Sequence, residues 1–189
     1  NRISRIEVAA NYVSRPLVGP GIALAFIVVA ALAAMVAFGH APGGFVVVAA
    51  AAFGAYMAIN IGANDVANNM GPAVGAGALK MGAAIAIAAV AETAGALLAG
   101  GDVVSTISKG IIDPHSVEDA QVFVWAMMAA LISSALWVNL ATWIGAPVST
   151  THSVVVGVMG AGVAAAGLSA VDWSTMGAIV ASWIVSPVL

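Results

Sequence analysis

The chain has 189 residues, 62% of them hydrophobic and 7% charged, with a mean hydropathy of +1.10. Such values define an integral membrane protein rather than a water-soluble domain. A net charge of -3 with only five Lys and Arg excludes a nucleic-acid-binding face, and the absence of Cys excludes both a disulfide framework and a thiolate metal site.

Residues 1–16 read as an N-terminal tail carrying Arg2, Arg5 and Arg15. Residues 17–38 form an uninterrupted apolar run, long enough to cross about 30 Å of hydrocarbon as a helix. The length of that run and the lack of a cleavage site argue against a removable signal peptide. The start at Asn1 and the finish inside an apolar run read as a fragment of a longer carrier. A turn at residues 39–43 leads to a second span over 45–61.

The next stretch, Asn60 to Pro72, sets Asp65 and the carboxamides of Asn60, Asn64, Asn68 and Asn69 in an otherwise apolar segment. An ionised Asp at the centre of a bilayer costs about 3 kcal/mol on insertion scales unless it meets a partner. A cation ringed by oxygen atoms meets that need. Gly62, Gly71, Pro72, Gly75 and Gly77 predict that the helix opens, so that backbone carbonyls join the ring and 62–79 becomes a polar break with a half-helix or re-entrant limb.

Residues 81–100 predict a third span with Glu92 near its centre. An intramembrane acid is a functional candidate by default, here as a gate or proton-linked residue. The stretch 101–121, with Asp102, Lys109, Asp113, Glu118 and Asp119, reads as a solvated loop. A fourth span over 122–144 carries Trp125 and Trp143 near its ends, where indoles favour the interface. A second polar break occupies 145–168: Pro147 ends one helix, and Ser149, Thr150, Thr151 and His152 precede a half-length helix over 154–168. Hydroxyls beside unpaired backbone N–H groups at a helix start suit an anion. Hydroxyls of this kind also bond back to their own helix, and His152 reads first as a capping or packing residue and second as a gate or proton-linked one. The last span covers 176–189. The arginines before the first span predict a cytoplasmic N-terminus, with Lys80 on the same side and the 101–121 loop outside.

One break suits a cation and the other an anion. No G-x-x-x-x-G-K-[ST] phosphate loop occurs, so an ion gradient rather than ATP is the expected driving force, and no cofactor is called for. An intramembrane hydrolase is the reading from a different class, since Asp65, Ser149 and His152 are hydrolytic ingredients. The chain has neither a G-x-S-x-G elbow nor an H-E-x-x-H helix to support it.

At these residues the chain resembles the inorganic phosphate transporter (Pit) family of secondary carriers. Gly62-Ala63-Asn64-Asp65-Val66-Ala67-Asn68 matches the family's G-A-N-D-V-A-N, and Pro147-Val148-Ser149-Thr150-Thr151-His152 its P-x-S-x-T-H. Glu92-Thr93-Ala94-Gly95 is similar to E-T-x-G, and Ser182-Trp183-Ile184-Val185-Ser186-Pro187 to S-W-x-x-S-P. Thr106 to Asp113 is similar to T-I-R-K-G-I-I-D, with Ser108 in place of the Arg. The resemblance implies an all-α membrane protein, one half of an inverted-repeat transporter whose second repeat completes the site. It further implies phosphate symport with Na⁺ or H⁺ in the cell membrane, on the bacterial inner membrane. Asn64, Asp65 and Asn68 would hold the cation; Ser149, Thr150 and Thr151 would hold phosphate. Sulfate is the rival substrate, and the number of chains that assemble, one or several, is left open.

Overall fold

A computed structural model describes residues 2–117, 119–186 and 188, with side chains from residue 17 onward. Glu118 and Pro187 therefore lie outside the described residues. The helices are α1 (Arg2–Phe38), α2 (Gly44–Gly75), α3 (Met81–Ser105), α4 (Ala120–Trp143), α5 (Thr150–Ala166) and α6 (Trp173–Val185). Asn1–Ile59 and Asn60–Leu189 form two compact units, and every contact described below lies within the second.

The helical content follows from the medium. Hydrocarbon offers no partner to a bare N–H or C=O, so each spanning segment must satisfy its backbone internally. Leu17–Phe38, Gly44–Gly75, Met81–Gly110 and Ala120–Trp143 are long and apolar enough to cross a membrane. Their outer surfaces are apolar as well: Val36, Leu97, Leu98 and Trp143 are each more than four-fifths exposed, which suits contact with lipid or with further protein rather than water.

Several elements depart from the sequence expectations, the first of them at the N-terminal end. The backbone from Arg2 is already helical, continuous with the first span, where a separate tail over 1–16 was expected. The second departure concerns α2, which runs through the polar stretch without opening at Gly62 and ends only at Gly75. Its stop is a C-terminal cap: Gly77 has φ +74, Gly77 N–H donates to Val74 O (3.0 Å) and Ala78 N–H to Ala73 O (2.9 Å). The earlier glycines lack such a cap, and glycine within a helix costs only about 1 kcal/mol relative to Ala. Pro72 falls in the last turn, where its missing N–H frees a single carbonyl, that of Asn68.

The third departure is the stretch 101–121. Helix continues to Gly110 as a π-helical turn over Thr106–Gly110, and Ile111 and Ile112 then enter the core at 0% and 1% exposure. An isolated antiparallel bridge pairs Ile112 with Val171, flanked by Asp113 N–H to Ala170 O (3.2 Å) and Asp172 N–H to Ile111 O (2.9 Å). With Ala130, Val155, Val158, Ala170, Val171 and Met176 these isoleucines form the main apolar cluster, which ties the segments before α4 and α6 to α5. The carboxylates around this crossing act as caps: Asp113 accepts from His115 N–H, Asp119 from Gln121 N–H and Asp172 from Thr175 N–H, each within 2.9 Å.

Gly162 on α5 lets Ile112 seat, because a Cβ there would overlap the Ile112 side chain. Gly162→Ala is expected to destabilise the folded protein by about 1–3 kcal/mol, the usual scale for overpacking a filled core. Thermal unfolding of the full-length protein in detergent measures it; an unchanged midpoint would show that Ile112 has room to move.

Candidate functional site

Helices α4 and α5 form a hairpin whose turn positions one half of the site. Gly145, at φ +72, closes α4 by donating to Thr142 O (3.2 Å), and Ala146 N–H donates to Ala141 O (2.8 Å). Pro147 follows, where it prevents the helix from continuing, and Ser149 caps α5 by accepting from His152 N–H (3.2 Å). The helix begins at Thr150, four residues before the predicted 154–168 segment, because the hydroxyl residues themselves supply its cap and first turn.

Thr150 is buried, and its Oγ1 donates to Oδ2 of Asp65 at 2.9 Å. The two polar motifs, 85 residues apart in sequence, meet at this bond. It gives the half-buried Asp65 carboxylate a donor on a neighbouring helix, the partner that an acid in an apolar setting requires.

The carboxamides are organised around it. Asn64, only 4% exposed, donates through Nδ2 to Thr142 Oγ1 on α4 (3.0 Å) and accepts at Oδ1 from Asn68 Nδ2 (2.8 Å). Asn139 Nδ2 on α4 donates to Asn60 Oδ1 (2.9 Å). The α2–α4 seam is thus a ladder of amides and hydroxyls, of the kind that joins helices where apolar contacts alone do not specify a partner.

The expected site residues are therefore only partly brought together. Asn64, Asp65, Asn68 and Thr150 form one connected group. Ser149 and Thr151 lie exposed on either side of Thr150 in sequence. The Ser149 oxygen serves the cap as an acceptor, and its hydroxyl donates to no group among the described residues. Exposed His152 packs its ring on Trp183 of α6, with centroids 3.9 Å apart. His152 also lines, with Ser133, Ser134, Trp137, Ser149 and Ser153, an open cleft of about 540 Å³. Glu92 is exposed on α3 and makes no hydrogen bond or ion pair with any described residue. Thr142 and Asn139 were missed by motif reading. Their signal is two polar residues three apart in an apolar span, a spacing that puts both on one helix face toward Asn60 and Asn64.

Chemically, the arrangement offers carboxylate and amide oxygens to a cation, and hydroxyls with free N–H groups at a helix start to an anion. Among the described residues no group of three or more His, Asp or Glu could hold a metal ion.

The fold and this polar group define a multi-pass helical membrane protein with an acidic polar site where two of its motifs meet. The chain belongs to the phosphate transporter family, whose pattern matches residues 61–189. It is 53% identical over 188 residues, 99% of its length, to a protein of Helicobacter pylori strain J99 named "Putative phosphate permease". A Pyrococcus abyssi protein whose name carries the same description is 48% identical over 136 residues, covering 72% of this chain and 34% of that protein. A solved structure described as "The sodium-dependent phosphate transporter" superposes with a TM-score of 0.72 at 44% identity, over 76% of this chain and 36% of that one. The chain spans about a third of the length of the relatives it matches, 35% of the first.

Proposed function

We propose that this chain is one repeat of a secondary carrier that moves inorganic phosphate by symport with Na⁺ or H⁺, its site completed by a second repeat of the same polypeptide. The observation that carries the reading is the bond between Thr150 and Asp65, which joins the acidic motif to the hydroxyl motif at 2.9 Å. Asp65 and Asn68 act on the cation side, with Asn64 holding Asn68 in place. Ser149, Thr150 and Thr151 act on the anion side. Cation binding neutralises Asp65, which lowers the repulsion felt by an incoming anion, so each ion tightens the other reciprocally. The sodium dependence of the solved relative supports Na⁺ as the coupling ion.

Phosphate fits better than sulfate because it keeps a proton near neutral pH and can donate to a carboxylate, whereas sulfate presents acceptors only. Asp65 stands within one hydroxyl of the anion side, and that proximity favours the protonated oxyanion. Glu92 and His152 serve as gating groups, His152 through its contact with Trp183. The carrier works in the cell membrane.

Labelled-phosphate uptake by the full-length protein in proteoliposomes, with Na⁺ and proton gradients imposed separately and sulfate as competitor, tests the reading. Phosphate accumulation driven by one gradient and insensitive to sulfate is expected; uptake indifferent to both gradients would sink it. Ser149→Ala and Thr151→Val should each weaken phosphate binding by about 1–3 kcal/mol, the cost of an unsatisfied polar partner. Unchanged apparent affinity in both would return these residues to capping alone.

A further inference from the structure

The direction of the hydrogen bonds between α4 and α2 carries an inference beyond the motifs. A backbone carbonyl only accepts, so the single hydroxyl proton of Thr142 goes to Val138 O, 2.8 Å away. The Thr142 oxygen must then accept, and it does so from Asn64 Nδ2 at 3.0 Å. Asn64 is thereby fixed with its amide nitrogen toward α4 and its Oδ1 toward the next turn of its own helix. There it accepts from Asn68 Nδ2 at 2.8 Å, which leaves Asn68 Oδ1 as the open end of the chain. The two faces of an amide are otherwise interchangeable in shape, so it is the network that decides which one points outward.

Asp65 spends Oδ2 on Thr150, leaving Oδ1. Neither Asp65 Oδ1 nor Asn68 Oδ1 has a donor among the described residues. The two residues are three apart on a continuous helix, and therefore neighbours on one face. An acceptor oxygen beside a carboxylate oxygen suits a metal cation, which needs several oxygens; a proton needs only one.

We propose that Thr142 is a positioning residue for the coupling cation, orienting Asn64 and through it Asn68 so that Asn68 presents oxygen, not N–H₂, beside Asp65 to Na⁺. The inference rests on the symport reading above. Removing Thr142's hydroxyl frees Asn64 to turn, and a turned Asn64 presents N–H₂ to Asn68, which must then turn its own N–H₂ outward toward the cation. Groups that orient ligands in this way typically change ion affinity by about 10- to 100-fold when removed.

The test uses the full-length protein in proteoliposomes, with phosphate uptake followed as Na⁺ is titrated against choline at constant ionic strength. Thr142→Val and Thr142→Ala should raise the half-saturating Na⁺ by about 10-fold or more, with the phosphate KM at saturating Na⁺ little changed. Thr142→Ser, which keeps the hydroxyl, should recover most of the wild-type Na⁺ affinity. If the wild type shows no Na⁺ dependence, the Na⁺-symport reading itself fails. If the wild type is Na⁺-dependent, the positioning role is overturned by an unshifted Na⁺ half-saturation in the hydroxyl-free variants, by a fall in maximal rate alone, or by Thr142→Ser behaving as Thr142→Val does. Failure of both hydroxyl-free variants to fold while Thr142→Ser folds would overturn it too, reducing Thr142 to a tie between helices.

Discussion

Asp65→Asn in the full-length carrier is expected to abolish cation-coupled phosphate uptake while leaving membrane insertion intact. The substitution isolates the charge. An amide has nearly the carboxylate's volume, and its carbonyl can still accept the 2.9 Å bond from Thr150, so the contact between α2 and α5 survives. What is lost is the negative ligand, and removing one partner of a desolvated charge pair costs about 2–5 kcal/mol. At about 1.4 kcal/mol per decade, cation affinity falls by a factor of about thirty to several thousand, enough to empty the site at ordinary ion concentrations. Uptake by inserted, folded Asp65→Asn protein at the wild-type cation dependence would remove Asp65 from the cation site.

Thr150→Val is the second large effect. Thr150 is 6% exposed and its hydroxyl is the donor that Asp65 has from α5, so an isosteric methyl leaves that oxygen without its donor from α5. Hydrogen bonds to charged groups are worth about 1.5–3 kcal/mol, which predicts a fall in affinity of about 10- to 150-fold. The fall should appear in both ligands, because Thr150 stands between the acidic motif and the hydroxyl motif; Thr142→Val, acting through the amides alone, should move only the cation. Thr150→Ser should recover both. Phosphate KM and cation half-saturation measured in the same vesicles check the prediction, and a change confined to one ligand would mean that Thr150 belongs to that site only.

The parts of this molecule that were legible in its sequence are those where one physical rule decides alone. The helical stretches over 17–38, 81–100 and 122–143 follow from largely apolar runs, and the hairpin turn from Gly145 and Pro147. The course of α2 was not legible from its glycines: Thr142 and Asn68 take up the amide of Asn64 along a continuous helix, and neither bond leaves a mark on the local sequence beyond polar residues at helical spacing. The glycine that does end the helix, Gly77, is distinguished from Gly62 only by the capping bonds around it. Ile111 and Ile112 were hidden for another reason. Two apolar residues between Lys109 and Asp113 have no periodicity to read, and their burial comes from pairing with Val171, 59 positions from Ile112 and invisible to any local window. For the site, residue types pointed to both motifs. Their meeting at Thr150 and Asp65 required the fold, as did the separation of Glu92 from them.

A carrier differs from two unrelated ion sites only if filling one changes affinity at the other. The decisive measurement is equilibrium phosphate binding to the full-length wild-type protein with and without Na⁺ and, separately, at two proton concentrations, at constant ionic strength. One of these ions should tighten phosphate by about 5- to 150-fold, the span of a coupling free energy of about 1–3 kcal/mol, and phosphate should tighten that ion by the same factor. Equal phosphate affinity in the presence and absence of either ion would contradict symport and make the protein a uniporter or a channel.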